Sequence, residues 1–319
     1  MGWQADGFAQ DEGASLLFPP VYQDNEAAKE ALLHVVRRDP HQMGIDRSRW
    51  RLQDVLEHCP WLHCQTQAGL WQILDRLDIH YKRGRTYVHS PDPAYEEKLA
   101  RIEALKRFVQ ANPAEYVLFY QDECSIYRQP SVGYNYEAAG SDAPHARQAR
   151  QLNNTIRLVG TLDALTGRVV VKTWSKVGTK QMASFYQIVR QAYPHAKRIW
   201  IIQDNWPIHF HPDVLLALEE QERLYPVKLP RNWTTTATKE AIKQCGQWHL
   251  PIQIVQLPTY ASWCNPIEKL WRKLKQDQLH LHPWAEDLST LREQILTFFQ
   301  PFETGSLQLL SSVGLHLPY

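Results

Sequence analysis

Hydrophobic residues in the first hundred positions recur at the spacing of amphipathic helices. The clearest case begins near Thr66, where four apolar residues follow an i, i+3, i+4, i+7 pattern: Leu70, Ile73, Leu74 and Leu77. This spacing places them on one face of a helix. The same period predicts helices over residues 25–37, 51–58 and about 92–110, and the last ends before Asn112-Pro113, which is typical of a domain boundary.

Beyond residue 112 the pattern changes to short continuous apolar runs, which are typical of buried strands. Strands are predicted over residues 115–123, 155–162, 168–174, 198–203 and 252–257. Helices are predicted over about 180–193, 211–221, 238–245 and 288–299. The opening order β-β-β-α-β-α predicts an α/β domain with a mixed sheet and helices packed on it. Residues 219–250 contain prolines and a threonine run with little periodicity, so we interpret them as an insertion.

Composition narrows the classes of protein to consider. The 319 residues leave room for two domains, and a formal net charge of +1 excludes a general polycation. Any nucleic-acid contact must therefore come from locally clustered basic residues. Five scattered cysteines favour reduced thiols over a disulfide framework or a zinc site. With neither a signal peptide nor an apolar stretch near membrane-span length, we expect a cytoplasmic protein without membrane contact.

A basic hairpin is predicted directly after the third helix. Its turn carries Lys82, Arg83 and Arg85 between two tyrosines, Tyr81 and Tyr87. Helices followed by a basic hairpin predict a winged helix-turn-helix, a common means of docking a helix in the major groove of DNA. A basic turn of ordinary surface structure is the alternative at this point.

Two predicted strands close with the same dipeptide, Gln-Asp, which places Asp122 and Asp204 at their ends. Because the carboxyl ends of parallel strands gather at one edge of a sheet, ligand sites tend to form there. Two neighbouring carboxylates repel each other unless a cation lies between them. Mg²⁺, which takes oxygen ligands, suits such a place.

A third acid, Glu268, lies in the first turn of a predicted helix. Asn265 is a favourable N-cap and Pro266 a favourable first helical residue, so the start of this helix is well defined. Three basic residues share or border the face of Glu268: Lys269, Arg272 and Lys275. A basic face beside a metal-binding acid suits a phosphodiester backbone.

Taken singly, these residues have ordinary structural explanations. Asp122 is compatible with capping a turn, Glu268 with pairing to Arg272 at i+4, and His209 and His211 with a polar helix entry. Together, two aspartates at strand ends and a helix-borne glutamate on this order of elements match the layout of a ribonuclease-H-like nuclease.

Three motifs make the resemblance specific: YQDE at 120–123, IIQDNWPIH at 201–209 and LPTYASWCNPIEKLWRKLK at 257–275. Residues from about 115 to 280 resemble the catalytic domain of mariner-type DDE transposases, in particular their bacterial insertion-sequence relatives. The resemblance implies a catalytic, metal-binding triad of Asp122, Asp204 and Glu268 that holds two Mg²⁺ ions, or Mn²⁺. It also implies supporting roles for four neighbours: Asn205, His209, Asn265 and Pro266.

The implied function is the cleavage of phosphodiester bonds at the ends of an insertion sequence and strand transfer into target DNA. Double-stranded DNA, both transposon ends and target, is the implied partner, with a homodimer in the synaptic complex and a nucleoid-associated location. Two features depart from the family. Glu268 lies 64 positions after Asp204, whereas the family spacing is in the mid-thirties, and residues 1–45 leave little room for a second helix-turn-helix module.

The predicted organisation is therefore a poorly ordered lead over 1–25, a winged helix-turn-helix domain over 26–92, a linker helix over 93–112, and a catalytic domain over 113–319 with the insertion at about 219–250. Two alternatives stay open. One is a truncated or domesticated transposase remnant that only binds DNA. The other is a ribonuclease-H-like nuclease acting on RNA–DNA hybrids, which leaves the winged helix unexplained.

Overall fold

A computed structural model of the chain describes residues 10–11, 14–15, 25–82, 89–138, 140–222 and 224–315. The chain divides into two compact units, Met1–Thr86 and Tyr87–Tyr319. Within the predicted lead, a two-residue strand β1 (Gln10–Asp11) pairs antiparallel with β2 (Ala14–Ser15).

The first unit is helical, as its apolar spacing predicts. It contains α1 (Asn25–Val36), α2 (Leu52–His58) and α3 (Gln67–Arg76), with 3₁₀ turns at Pro40–Met43 and Pro60–Leu62. The α3 helix starts where predicted because the Thr66 hydroxyl accepts a hydrogen bond from Gly69 N at 3.1 Å. Apolar side chains from all three helices form one core that includes Leu32, Val55 and Leu70.

The predicted wing of this unit stays a prediction. Lys82 is exposed, while Arg83 and Arg85 lie outside the residues that the structure describes.

The second unit is built on a five-stranded mixed sheet. Its strands are β3 (Tyr116–Tyr127), β4 (Thr155–Asp163), β5 (Val169–Trp174), β6 (Arg198–Gln203) and β7 (Ile252–Gln256). They lie in the order β5-β4-β3-β6-β7. Strands β3, β4 and β5 pair antiparallel, whereas β3–β6 and β6–β7 pair parallel. The predicted mixed α/β sheet is confirmed.

Helices cover both faces of this sheet. They are α4 (Tyr95–Ala111), α5 (Thr179–Ala192), α6 (Pro212–Leu215), α7 (Lys239–Cys245), α8 (Ile267–Leu274), α9 (Leu288–Phe299) and α10 (Leu307–Val313). One core contains buried residues of α4, α8, α9 and α10, and the other contains those of α5, α6 and α7. Side chains alternate along β3, so Leu118 and Tyr120 join the first core while Val117 and Phe119 join the second.

Three predictions about the elements need correction. Residues 93–112 are not a linker, because Ile102 and Val109 of α4 are buried in the core of the second unit. The helix predicted over 211–221 is reduced to α6 after a 3₁₀ turn at Pro207–Phe210. Strand β3 also does not end at Asp122-Glu123.

Strand β3 continues for 12 residues because β4 pairs with it as far as Tyr127↔Thr155. Its parallel pairing with the shorter β6 stops at Tyr120↔Ile202. Asp122 therefore lies inside a strand, just beyond the point at which its parallel neighbour ends. Asp122 thus lies at the edge of the sheet where β6 ends, as predicted, although its own strand continues to Tyr127.

The insertion leaves and rejoins the sheet region at one place. Leu218 and Leu250 form a parallel bridge, with Glu219 N donating to Leu250 O at 2.8 Å and Leu250 N donating to Ala217 O at 3.0 Å. The Asp213 carboxylate also holds the segment, since it accepts from Thr238 N at 2.7 Å and from the Thr238 hydroxyl at 3.0 Å. The extra residues thus loop out without separating β6 from β7.

Across the described ranges, every helix is either too short or too polar to cross a membrane.

Candidate active site

Asp204 follows β6 directly, in a loop that two side-chain contacts hold. Its Oδ1 accepts a hydrogen bond from Trp206 N at 2.9 Å, and its side chain is 58% exposed. The next residue, Asn205, donates to Leu257 O at 3.0 Å and accepts from Gln256 at 3.0 Å. Asn205 therefore ties the end of β6 to the end of β7, which fixes the position of Asp204.

Asp122 points from β3 toward α8. The Trp271 indole N–H donates to Asp122 Oδ2 at 2.9 Å. Trp271 fits there because Gly160, the residue paired with Asp122 on β4, has no side chain. A Cβ on Gly160 would lie 2.6 Å from Trp271 Cη2. The strand, its neighbour and the helix thus position this carboxyl together.

Glu268 lies in the first turn of α8, and Asn265 holds that turn against β3. The Asn265 amide is buried and donates to Gln121 O at 3.0 Å. The sequence predicted Asn265 as an N-cap, but its side chain does not cap the helix, because the bond to Gln121 O holds the amide group and its Oδ1 accepts no hydrogen bond from any described residue. Its backbone oxygen accepts from Glu268 N at 3.1 Å instead. Pro266 occupies the N-cap position.

Glu268 interacts electrostatically with each of the two predicted aspartates. Burial first, and then the Glu123 and Glu268 carboxylates, raise the pKa of Asp122 to about 8. Burial also raises the pKa of Glu268; Ser262, Arg272 and Lys275 oppose this shift, and the Asp204 carboxylate adds to it. Glu268 therefore lies within electrostatic reach of both aspartates, despite the 64 positions that separate it from Asp204.

Asp204 differs from the other two acids in its protonation. Burial opposes its ionisation, but the His209 imidazole and the Trp206 N–H lower its pKa overall. Asp204 is consequently ionised under conditions in which Asp122 still carries its proton.

A second cluster shares Asp204. Within the described ranges, Glu123, Asp204 and His209 are a set of metal-ligand residues whose ligand atoms all lie within 4.8 Å of one another. His209 Nε2 lies 3.4 Å from Asp204 Oδ1 and 3.7 Å from Glu123 Oε1. His209 was among the site residues predicted from the sequence, as a neighbour of Asp204, whereas Glu123 was not. The available signal was the position of Glu123 directly after Asp122 in YQDE. Consecutive side chains of a strand face opposite sides of the sheet, so Glu123 is an acid on the face that Asp122 does not occupy.

The predicted DNA-contacting residues in and directly after α8 have different surroundings. Lys269 donates to Val313 O at 2.7 Å, so its ammonium group is engaged by α10. Arg272 and Lys275 are exposed, and both lower the pKa of Glu268. Arg272 of α8 and Lys275, the residue directly after α8, therefore remain available to a phosphate near the acids.

Comparisons with known proteins agree with this architecture. A sequence model described as "DDE superfamily endonuclease" matches residues 117–292. The insertion element IS630 uncharacterized 39 kDa protein of Shigella sonnei is 24% identical over 279 residues, which cover 86% of this chain and 71% of that protein.

Two solved structures with a similar fold are paired-end complexes of the mariner transposase Mos1. The complex with Mg has a TM-score of 0.58 at 14% identity and covers 97% of this chain and 80% of that chain. The complex with Mn has a TM-score of 0.55 at 14% identity, with coverages of 96% and 78%. The likeness supports a ribonuclease-H-like fold for the mixed sheet.

Proposed function

The chain belongs to the DDE superfamily of endonucleases, and on that premise we propose that it is the transposase of an insertion sequence. It cleaves phosphodiester bonds at the ends of the element and joins the freed ends to target DNA. The observation that supports the proposal is the electrostatic coupling of Glu268 to Asp122 and to Asp204, two acids that the sheet carries beside the ends of the neighbouring strands β3 and β6.

The donor set of this edge fits divalent metal ions. Carboxylate oxygens are the ligands that Mg²⁺ and Mn²⁺ prefer. Burial first, and then the Glu123 and Glu268 carboxylates, raise the pKa of Asp122, and a bound cation would offset both effects. Mos1 complexes with Mg and with Mn support the same metals, and we propose two ions per site. When bound, such ions lower the pKa of an attacking water or 3′-hydroxyl and stabilise the leaving oxygen.

The residues of the chain itself position these acids. Trp271 restrains Asp122 through its N–H, and Asn265 anchors the first turn of α8 to β3. Asn205 holds the loop that presents Asp204. Because in-line attack tolerates little misplacement of reacting groups, each anchor contributes to the rate without touching the substrate.

Double-stranded DNA is the proposed partner. Arg272 and Lys275 extend the acidic edge with exposed positive charge, which suits phosphate contacts that fix the register of the duplex. The first unit serves as a helix-turn-helix that recognises the element ends. A homodimer brings two ends together in the cytoplasm, at the nucleoid.

The test uses DNA that carries the inverted repeats flanking the coding region. We expect the parent chain to nick this DNA with Mg²⁺ or Mn²⁺, and Asp204→Asn to bind it in a gel-shift assay without nicking. Cleavage by Asp204→Asn at the parent rate would refute the assignment of the triad. Binding without nicking by the parent chain would instead support the remnant that only binds DNA.

A further inference from the structure

Glu123 and His209 form a side-chain cluster on the side of β3 that faces away from Trp271. Asp122 contacts Trp271 of α8, while its neighbour Glu123 points to the opposite face of the sheet and approaches His209. Asp204 lies between these sides, with its Oδ1 3.4 Å from His209 Nε2. The cluster therefore combines two carboxylates with one imidazole nitrogen.

The His209 ring is fully buried, with 0% exposure, and its Nε2 makes no hydrogen bond with any described residue. A buried ring nitrogen without a hydrogen bond is costly unless a ligand engages it. This nitrogen lies near both carboxylates, so a bare lone pair would be repelled unless a cation or a proton lies between them.

The far side of the ring contacts a tyrosine hydroxyl. The Tyr186 hydroxyl donates to Gln203 Oε1 at 3.0 Å, so its oxygen is free to accept from His209 Nδ1 at 3.4 Å. With its proton on Nδ1, the ring would present the Nε2 lone pair to a cation shared with Glu123 and Asp204, whereas without a cation a proton on Nε2 pairs the ring with these carboxylates. Histidines that ligate metals are fixed in this manner by an acceptor on their other nitrogen.

We propose that Glu123, Asp204 and His209 bind one divalent transition-metal ion such as Mn²⁺, Co²⁺ or Zn²⁺. Ligand atoms about 2.1 Å from a metal lie roughly 3–3.5 Å from one another, and the distances of 3.4 and 3.7 Å are close to this range. An imidazole ligand favours these ions over Mg²⁺, which prefers oxygen. The site shares Asp204 with the proposed triad but does not require the chain to cleave DNA.

An ion at this site has two effects on the chain. It compensates the charge of the Glu123 carboxylate, whose side chain is only 21% exposed. It also binds one oxygen of Asp204 on the side of His209, and this contact restrains the loop after β6. Access is available because the Asp204 side chain is mostly exposed.

The test measures Mn²⁺, added alone to the untagged full chain, by pulsed electron paramagnetic resonance. We expect modulation from a coordinated imidazole ¹⁴N in the parent chain, its loss in His209→Gln, and its retention in His195→Gln, a matched change at an exposed histidine. No ¹⁴N modulation in the parent chain, or its persistence in His209→Gln, would overturn the proposal.

If His209→Gln does not fold, Glu123→Gln tests the proposed metal site instead. This nearly isosteric change removes one anionic ligand, so we expect the affinity for the ¹⁴N-coupled Mn²⁺ to fall at least about tenfold. An unchanged affinity would contradict the site.

Asp122→Asn separates this proposal from the transposase proposal. We expect it to abolish cleavage while the ¹⁴N-coupled Mn²⁺ remains. Retained cleavage would count against the triad alone, and loss of the ¹⁴N signal would count against the second site alone.

Discussion

Asp122 is the residue whose charge state the fold changes most clearly. Its pKa is raised from the usual value of 3.8 to about 8, first by burial and then by Glu123 and Glu268. Between these values the folded chain keeps a proton that the unfolded chain releases. Stability therefore falls as pH rises through this window, because the native state binds more protons there.

Asp122→Asn removes this titration, so we expect the variant to be more stable than the parent in metal-free buffer. The difference should grow from about pH 4 to pH 8 and reach at least about 1 kcal/mol at pH 7. Urea unfolding at several pH values, with a chelator present, measures it. A constant difference across the window would show that Asp122 ionises normally in the folded chain.

Gly160 is a second residue with a specific role, since it admits the ring that contacts Asp122. Gly160→Ala would place a Cβ 2.6 Å from Trp271 Cη2 and 3.0 Å from Val171 Cγ1. We expect a loss of about 1–3 kcal/mol in unfolding free energy from overpacking, and weaker cleavage because Trp271 must move.

The control for this change is Gly178→Ala, whose Cβ meets only the flexible end of Gln181 at 3.3 Å. Its cost should stay below about 1 kcal/mol. Equal losses in urea unfolding for the two variants would argue against a role of Gly160 in seating Trp271.

Individual residues also mark the limit of prediction from sequence. The motifs around Asp122, Asp204 and Glu268 were visible because their residue types and context are distinctive. The role of Asn265 was not, because its amide binds Gln121 O, a backbone atom more than 140 positions away, and local sequence preferences carry no information about such a partner. Glu123 was overlooked for a similar reason, since His209 reaches it only after β3 and β6 pair.

Among the elements, strand positions were predicted more accurately than their lengths. The apolar run predicted β6 to the residue, whereas β3 extends to Tyr127. Strand length depends on how far a partner continues alongside, and β4 supplies that partner as far as Thr155. Residues 93–112 were likewise predicted as a linker outside the domain against which α4 packs. The apolar face of a helix can be recognised in the sequence, but the surface on which it packs cannot.

The insertion is the element whose attachment is most directly testable. Asp213 anchors it through two hydrogen bonds to Thr238. We expect Asp213→Ala to make residues 219–250 more susceptible to limited proteolysis, because a partly buried anchor is lost at about 1–3 kcal/mol. The matched change is Glu240→Ala at an exposed position of α7, which should digest like the parent. Identical digestion of the Asp213→Ala variant and the parent would show that other contacts hold the segment.

For the molecule as a whole, the small net charge indicates how the chain can bind DNA. A net charge of +1 provides no general attraction to DNA, so affinity must arise from local groups such as Arg272 and Lys275. Replacing both by Ala should weaken binding similarly for all sequences and reduce the slope of log K against log salt by about 2.

The comparison for the double variant is Lys239→Ala with Lys243→Ala, two exposed lysines of α7. Gel-shift titrations at several salt concentrations should give a parental slope for this pair. A parental slope for the Arg272 and Lys275 pair as well would exclude these two residues from the DNA interface.

The bridge between Leu218 and Leu250 has a consequence for relatives of this chain. Since the segment departs and returns at neighbouring backbone positions, its length is nearly independent of the distance between the acids in space. Family members could gain or lose dozens of residues here without moving Glu268. A search pattern built on a fixed interval between the second and third acids would therefore overlook such members, whereas one anchored on the flanking motifs would retain them.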